Sequence, residues 1–136
     1  MSELNTRQWQ LYNFLKERGD SWTTQETIAY ALSNVYDVSH VNGDFHNSKP
    51  RHVMTADIRT INDSEVIQKI IISGAKGVKI ANEAEFQKYI RGEYSLVFDK
   101  LKRIRRKERK GNLNGQTRIV FKRERDTIEA FLHENE

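Results

Sequence analysis

A chain of 136 residues and 16.0 kDa is long enough for one domain with a real core and too short for two enzymatic lobes. It is polar, with 37% hydrophobic and 31% charged residues, yet six Phe, five Tyr and two Trp exclude wholesale disorder, and the lack of cysteine excludes disulfides and thiolate metal sites. Residues 1–48 carry three bases (Arg7, Lys16, Arg18) against six acids (Glu3, Glu17, Asp20, Glu26, Asp37, Asp44), and the remainder carries twenty against thirteen, an asymmetry that with a pI near 9.4 favours a polyanionic partner for the second part of the chain.

The first periodic segment, TRQWQLYNFLKERG, sets Leu11, Phe14, Leu15 and Arg18 at helical spacing, with Gly19 as its stop. In WTTQETIAYALSNVY, Thr23 and Glu26 have the spacing of a capping box and Ile28, Leu32 and Val35 continue an apolar stripe, which predicts a second helix of about three turns. The connector DVSHVNGDFHNS has no helical period. Pro50 fits only the first turn of a helix, so a third helix is expected from near Ser48. Met54, Ile58 and Ile61 should face the core, leaving His52, Thr55, Ala56 and Arg59 outward and Lys49 and Arg51 at the N-terminal end.

EVIQKIIISGAKGVKIA holds two β-branched runs about GAKG, a hairpin signal with Lys76 at the tip. Asn82 with Glu85 then starts a long helix, on which Phe86, Ile90, Val97, Leu101 and Ile104 keep one apolar stripe; Gly111, Asn112, Asn114 and Gly115 break it. Beyond the break TRIVFK is expected to be a short extended segment, and Ile128, Phe131 and Leu132 to mark a brief terminal helix. The class is mainly α with a small β-hairpin, α+β. No apolar run approaches a membrane span and the N-terminus lacks a signal-peptide core, so a cytoplasmic protein is expected.

Three helices, the third basic on its outer face, followed by a hairpin with a glycine-flanked lysine, resemble a winged helix-turn-helix. The block ADIRTINDSEVIQKIIISGAKGVKIANEAEFQKYIRGEYSLVFDKLKRIRR is similar to small winged-helix proteins of phages and prophages of Gram-positive bacteria, with Asn62-Asp63-Ser64 where those proteins tend to hold glycine. The element order agrees over residues 6 to 108, and the stretch from Ile58 to Ile104 is residue-specific. The resemblance implies a winged-helix core over 1–81 and, over 82–136, a long basic helix with a C-terminal extension and candidate dimerisation segment. It implies double-stranded DNA as partner in the cytoplasm of a bacterial host, with the third helix in the major groove. Arg59 is then expected to pair with a guanine, Thr55 to meet a thymine methyl or a phosphate, His52 to share the outer face, and Lys49, Arg51 and Lys76 to meet phosphates.

The stretch KLKRIRRKERK has eight bases in eleven positions (Lys100, Lys102, Arg103, Arg105, Arg106, Lys107, Arg109, Lys110) against Glu108 alone. The helix dipole accounts for two or three of these, and the excess fits phosphate binding or an acidic protein surface. A membrane surface lacks the wide apolar face it needs beside the charges. Asp37, His40, Asp44, His46, Asn47 and His52 crowd into sixteen positions, a set a metal-dependent nuclease would need, but their spacing matches no specific ligand motif and a polar loop explains them equally. No cofactor, small-molecule substrate or catalytic residue is expected. The reading is a DNA-binding transcriptional regulator or replication or recombination accessory, with a protein-interaction adaptor as the alternative. Ile119, Val120, Phe121, Ile128, Phe131 and Leu132 still need burial, for which a second copy of the chain is expected.

Overall fold

The computed structural model describes the backbone of residues 3–111 and 115–134 and the side chains of residues 3–110 and 123–133. The chain divides into two compact units, Met1–Gln87 and Lys88–Glu136. It is mainly helical with one small antiparallel hairpin, the α+β class expected from the periodicities. Among the described residues no helix is long and apolar enough to cross a membrane.

In the first unit, α1 (Thr6–Arg18) opens on a capping box: the Asn5 side chain accepts from the Gln8 amide at 2.8 Å and the Gln8 side chain accepts from the Asn5 amide at 3.0 Å. It closes at Gly19, whose φ of 63° is the left-handed geometry glycine adopts at low cost. Leu11 and Leu15 are buried along its inner face. The second helix, α2 (Gln25–Ala31), is shorter than its stripe predicts, and its start differs. Thr24, not Thr23, caps it by accepting from the Thr27 amide at 3.2 Å. Thr23 is instead taken up by the sheet, its backbone exchanging hydrogen bonds with Val78 in both directions at 3.0 and 2.8 Å. That pairing satisfies two buried backbone groups, which one side-chain cap cannot match. Leu32 and Val35 lie beyond the helix and still pack against the core.

A single 3-10 turn, Phe45–Asn47, interrupts the connector and buries Phe45. Helix α3 (Lys49–Asp63) follows with Pro50 in its first turn and Met54, Ile58 and Ile61 buried, as the spacing requires. It packs against α1, α2 and the hairpin strand β1 (Ile71–Gly74). β1 pairs antiparallel with β2 (Gly77–Ile80), from Ile71 opposite Ile80 to Gly74 opposite Gly77. Asn62 ties the end of α3 to this sheet: its side-chain amide donates to the Ile71 carbonyl at 3.0 Å and its side-chain oxygen accepts from the Ile71 amide at 2.7 Å. One side chain thus substitutes for a neighbouring strand at the start of β1.

Helix α4 (Glu83–Gly111) begins on the expected box, with Asn82 and Glu85 each accepting from the other's amide at 2.9 Å. In the second unit it is followed by α5 (Gly115–Glu134). The extended segment expected at TRIVFK is therefore helical. Its β-branched residues carry only a weak strand preference, and the 3.6-residue period continuing to Leu132 overrides it. The residues Asn112 and Asn114 of the expected break, and the side chains of Ile119, Val120 and Phe121, lie outside the described residues.

Candidate nucleic-acid interface

The placement of α3 rests on a carboxylate at its inner face. Asp57 sits three residues after Met54 and four before Ile61, within the core stripe, and is 2% exposed. A charge there must be paired. Arg7 grips it with two prongs, Nε to Oδ2 at 2.6 Å and Nη2 to Oδ1 at 2.9 Å; Tyr36 donates to Oδ2 at 2.8 Å and Gln8 to Oδ1 at 3.1 Å. Burial pushes the Asp57 pKa up, but the hydrogen bonds from Arg7, Tyr36 and Gln8 outweigh it and hold the carboxyl below its usual range. Burial, with the bond to Asp57, drives the Tyr36 phenol well above its usual value, so Tyr36 is a fixed donor. These bonds fix how α3 turns relative to α1, and hence which residues it shows to solvent. The sequence signal was an acid in an apolar stripe.

On the outer side, Lys49, His52, Ala56 and Arg59 are exposed, while Arg51 and Thr55 are half-buried. The Thr55 hydroxyl donates to the Arg51 carbonyl at 2.9 Å, so only its acceptor capacity and methyl remain for a ligand. Arg51 borders an open groove of about 490 Å³ with the hairpin residues Ser73, Gly74 and Ala75. The start of α3 and the hairpin tip therefore face one space, although Glu26 and Asp44 also line it. Lys49 projects to the other side of the helix start, into a cleft shared with Arg7 and His40.

The two lysines of the hairpin have different roles. Lys76 is exposed in the turn. Lys79 is buried, with Nζ between Asp20 and Glu85, the latter at 2.7 Å, and 5.6 Å from the centre of the Trp22 ring. Burial lowers the Lys79 pKa, but the bonds to Asp20 and Glu85 overcome this and raise it, so the ammonium stays charged while locking the hairpin to the start of α4.

In the second unit, the basic run divides by face. Lys102 and Arg105 border an apolar groove with Leu101 and Ile104. At 100° per residue, Lys100, Arg103, Arg106 and Lys107 point to the other side, where all are exposed. The acidic and histidine residues of the connector are spread out. Asp37 accepts from the Ser39 amide at 3.0 Å and Asp44 from the Asn47 side chain at 2.8 Å. Among the described residues no three His, Asp or Glu side chains stand close enough together to hold a metal ion. Compared with protein-family models, curated proteins and solved structures, the chain finds no match.

Proposed function

We propose that the chain is a winged-helix protein that binds double-stranded DNA by occupancy, as a transcriptional regulator or a replication or recombination accessory of a phage or prophage. The observation that carries this reading is the groove shared by Arg51 at the start of α3 and by the hairpin tip. A 15-residue helix about 22 Å long, with its apolar side buried and an outer row of His52, Thr55, Ala56 and Arg59, has the dimensions and chemistry to lie in a major groove about 12 Å wide. The hairpin residues Ser73, Gly74 and Ala75 line that groove, and Lys76, exposed in the adjoining turn, is proposed to meet a flanking phosphate strand. The bridge of Thr23 to Val78 supports the reading further, since it adds a third extended segment beside β2 and steadies the hairpin from the α2 side.

The basic side of α4 supports a second phosphate contact, and equally a second reading, an adaptor for an acidic protein. Fluorescence anisotropy with a labelled random duplex separates them. Binding at low salt that weakens steadily as salt rises is expected. No binding to duplex at low salt would remove the DNA reading and leave the adaptor.

A further inference from the structure

Two rings of α4 are not accounted for by its apolar stripe. Ile90, Val97, Leu101 and Ile104 follow the helical period, and Leu101 and Ile104 share a groove with Ile128 and Leu132 of α5. At 100° per residue, Tyr94 and Phe98 lie about 60° and about 100° round the helix from Val97. Phe98 also borders the groove, yet it is 51% exposed, and Tyr94 is 54% exposed. The two rings stack on each other, with centroids 6.4 Å apart and planes 25° from parallel. Their neighbours one turn away, at i±3 and i±4, are Ile90, Arg91, Ser95, Val97, Leu101 and Lys102, and none is an acid.

We propose that this ring pair is a stacking platform for the bases of single-stranded DNA, whose phosphates meet Arg91, Lys102 and Arg105. All three bases are exposed and, at 100° per residue, fall within about 40° of Phe98, so one line along α4 reads Arg91, Tyr94, Phe98, Lys102, Arg105. Every base has a π-face, so rings set among cations hold an unpaired strand without needing to read its sequence. Charge selects this occupant over an apolar helix or a second copy. Among the described residues Arg91, Lys102 and Arg105 make no ion pair, and an apolar partner laid on the rings would strip water from them without replacing it. The acids Glu93 and Asp99 are turned about 100° away from the adjoining rings. Glu108 lies 3.8 Å from Arg125, which leaves Glu129 of α5 on the groove with Lys102 and Arg105, and the bases of the line outnumber it. The choice of DNA over RNA rests on the duplex reading of the first unit; the platform itself does not. A chain that holds duplex with one unit and single strand with the other is a replication or recombination accessory rather than a transcriptional regulator.

Fluorescence anisotropy of the full chain with a labelled oligothymidylate and a labelled abasic strand of the same length tests it, since both carry the same phosphates and only one carries bases. The oligothymidylate should bind about tenfold more tightly. Tyr94→Ala and Phe98→Ala should each remove most of that difference, with helix content followed by circular dichroism. Phe98→Leu should remove it as well, although apolar bulk is kept, whereas Tyr94→Phe keeps the ring and should bind as wild type. This conservative pair and the abasic comparison keep the test decisive if an alanine variant loses helicity. Affinity for random duplex should be the same in all four variants. Equal wild-type affinity for the two strands, wild-type binding by Phe98→Leu, or tighter binding of oligouridylate than of oligothymidylate overturns the proposal. So does a sedimenting mass of twice 16.0 kDa that Phe98→Ala halves, which would assign the rings to a second copy. Absence of duplex binding while the two strands behave as expected would instead count against the duplex reading alone.

Discussion

Asp57 shows how one side chain can set a surface it never reaches. It faces the core, and its four hydrogen bonds from Arg7, Tyr36 and Gln8 hold α3 in the rotation that exposes His52 and Arg59. Breaking a buried pair leaves an uncompensated charge, so Asp57→Ala should cost about 3 kcal/mol in urea unfolding because Arg7 and Tyr36 lose their acceptor. The pH dependence has a definite sign. A carboxyl whose pKa is depressed by folding binds its proton more readily when unfolded, so its stabilisation is complete above the unfolded value near 4 and is lost as pH falls through the lower folded value. Wild-type stability should therefore drop below about pH 4, and Asp57→Asn should be less stable at pH 7 with a flatter acid limb; equal slopes in the two proteins would show that Asp57 is not the titrating group. Arg59 belongs to the opposite side of the same helix. If α3 reads bases, Arg59→Ala should cost about 1–3 kcal/mol on a preferred site and relax the preference at one base pair, while random duplex is bound nearly as before. Equal losses on both would mean that Arg59 contacts only the backbone.

At the scale of elements, the hairpin depends on a position where a side chain cannot fit. Gly77 has φ 118°, and a Cβ there would come within 2.2 Å of the Thr23 carbonyl oxygen. Gly77→Ala should thus cost about 2 kcal/mol or more and break the Thr23–Val78 bridge, seen as loss of amide protection at Thr23 and Val78 in hydrogen exchange; unchanged protection would refute it. The sequence showed the glycine and the turn, but not the reason, because the bridge joins residues 55 positions apart and leaves no periodic trace. The same holds elsewhere. The helix α3, its buried face and its start at Pro50 were legible because a 3.6-residue period and a proline act locally. The Thr23 and Glu26 box was misread because two threonines stand side by side and tertiary pairing chose between them. TRIVFK was misread because local β-branching spoke against a helix that longer-range periodicity sustains. Of the candidate site, Arg51 and the hairpin tip come together, whereas the basic run, which looked uniform in sequence, separates into a rim pair and an outward set only when wound at 100° per residue.

For the whole molecule, the uneven charge becomes a quantitative expectation. Residues 49–136 hold seven more bases than acids, twenty against thirteen, but the structure withdraws Lys79, buried between Asp20 and Glu85, from a role in binding and sets Lys102 and Arg105 at the border of the apolar groove. Among the bases left for a polyanion are Lys49, Arg51, Arg59 and Lys76 in the first unit and Lys100, Arg103, Arg106, Lys107 and Lys110 in the second. If about six of these meet phosphates, each contact releases its counterion, and the logarithm of affinity for random duplex should fall with the logarithm of salt at a slope near −5. Replacing Arg103 and Arg106 together by Ala should then reduce that slope by about 2 and weaken all duplexes alike, whereas Lys79→Met should leave the slope unchanged at salt concentrations where the variant remains folded. The comparison has a clear losing outcome. If the Arg103 and Arg106 double variant keeps the wild-type slope, the outward side of α4 does not touch DNA, and its charge is available for an acidic protein instead.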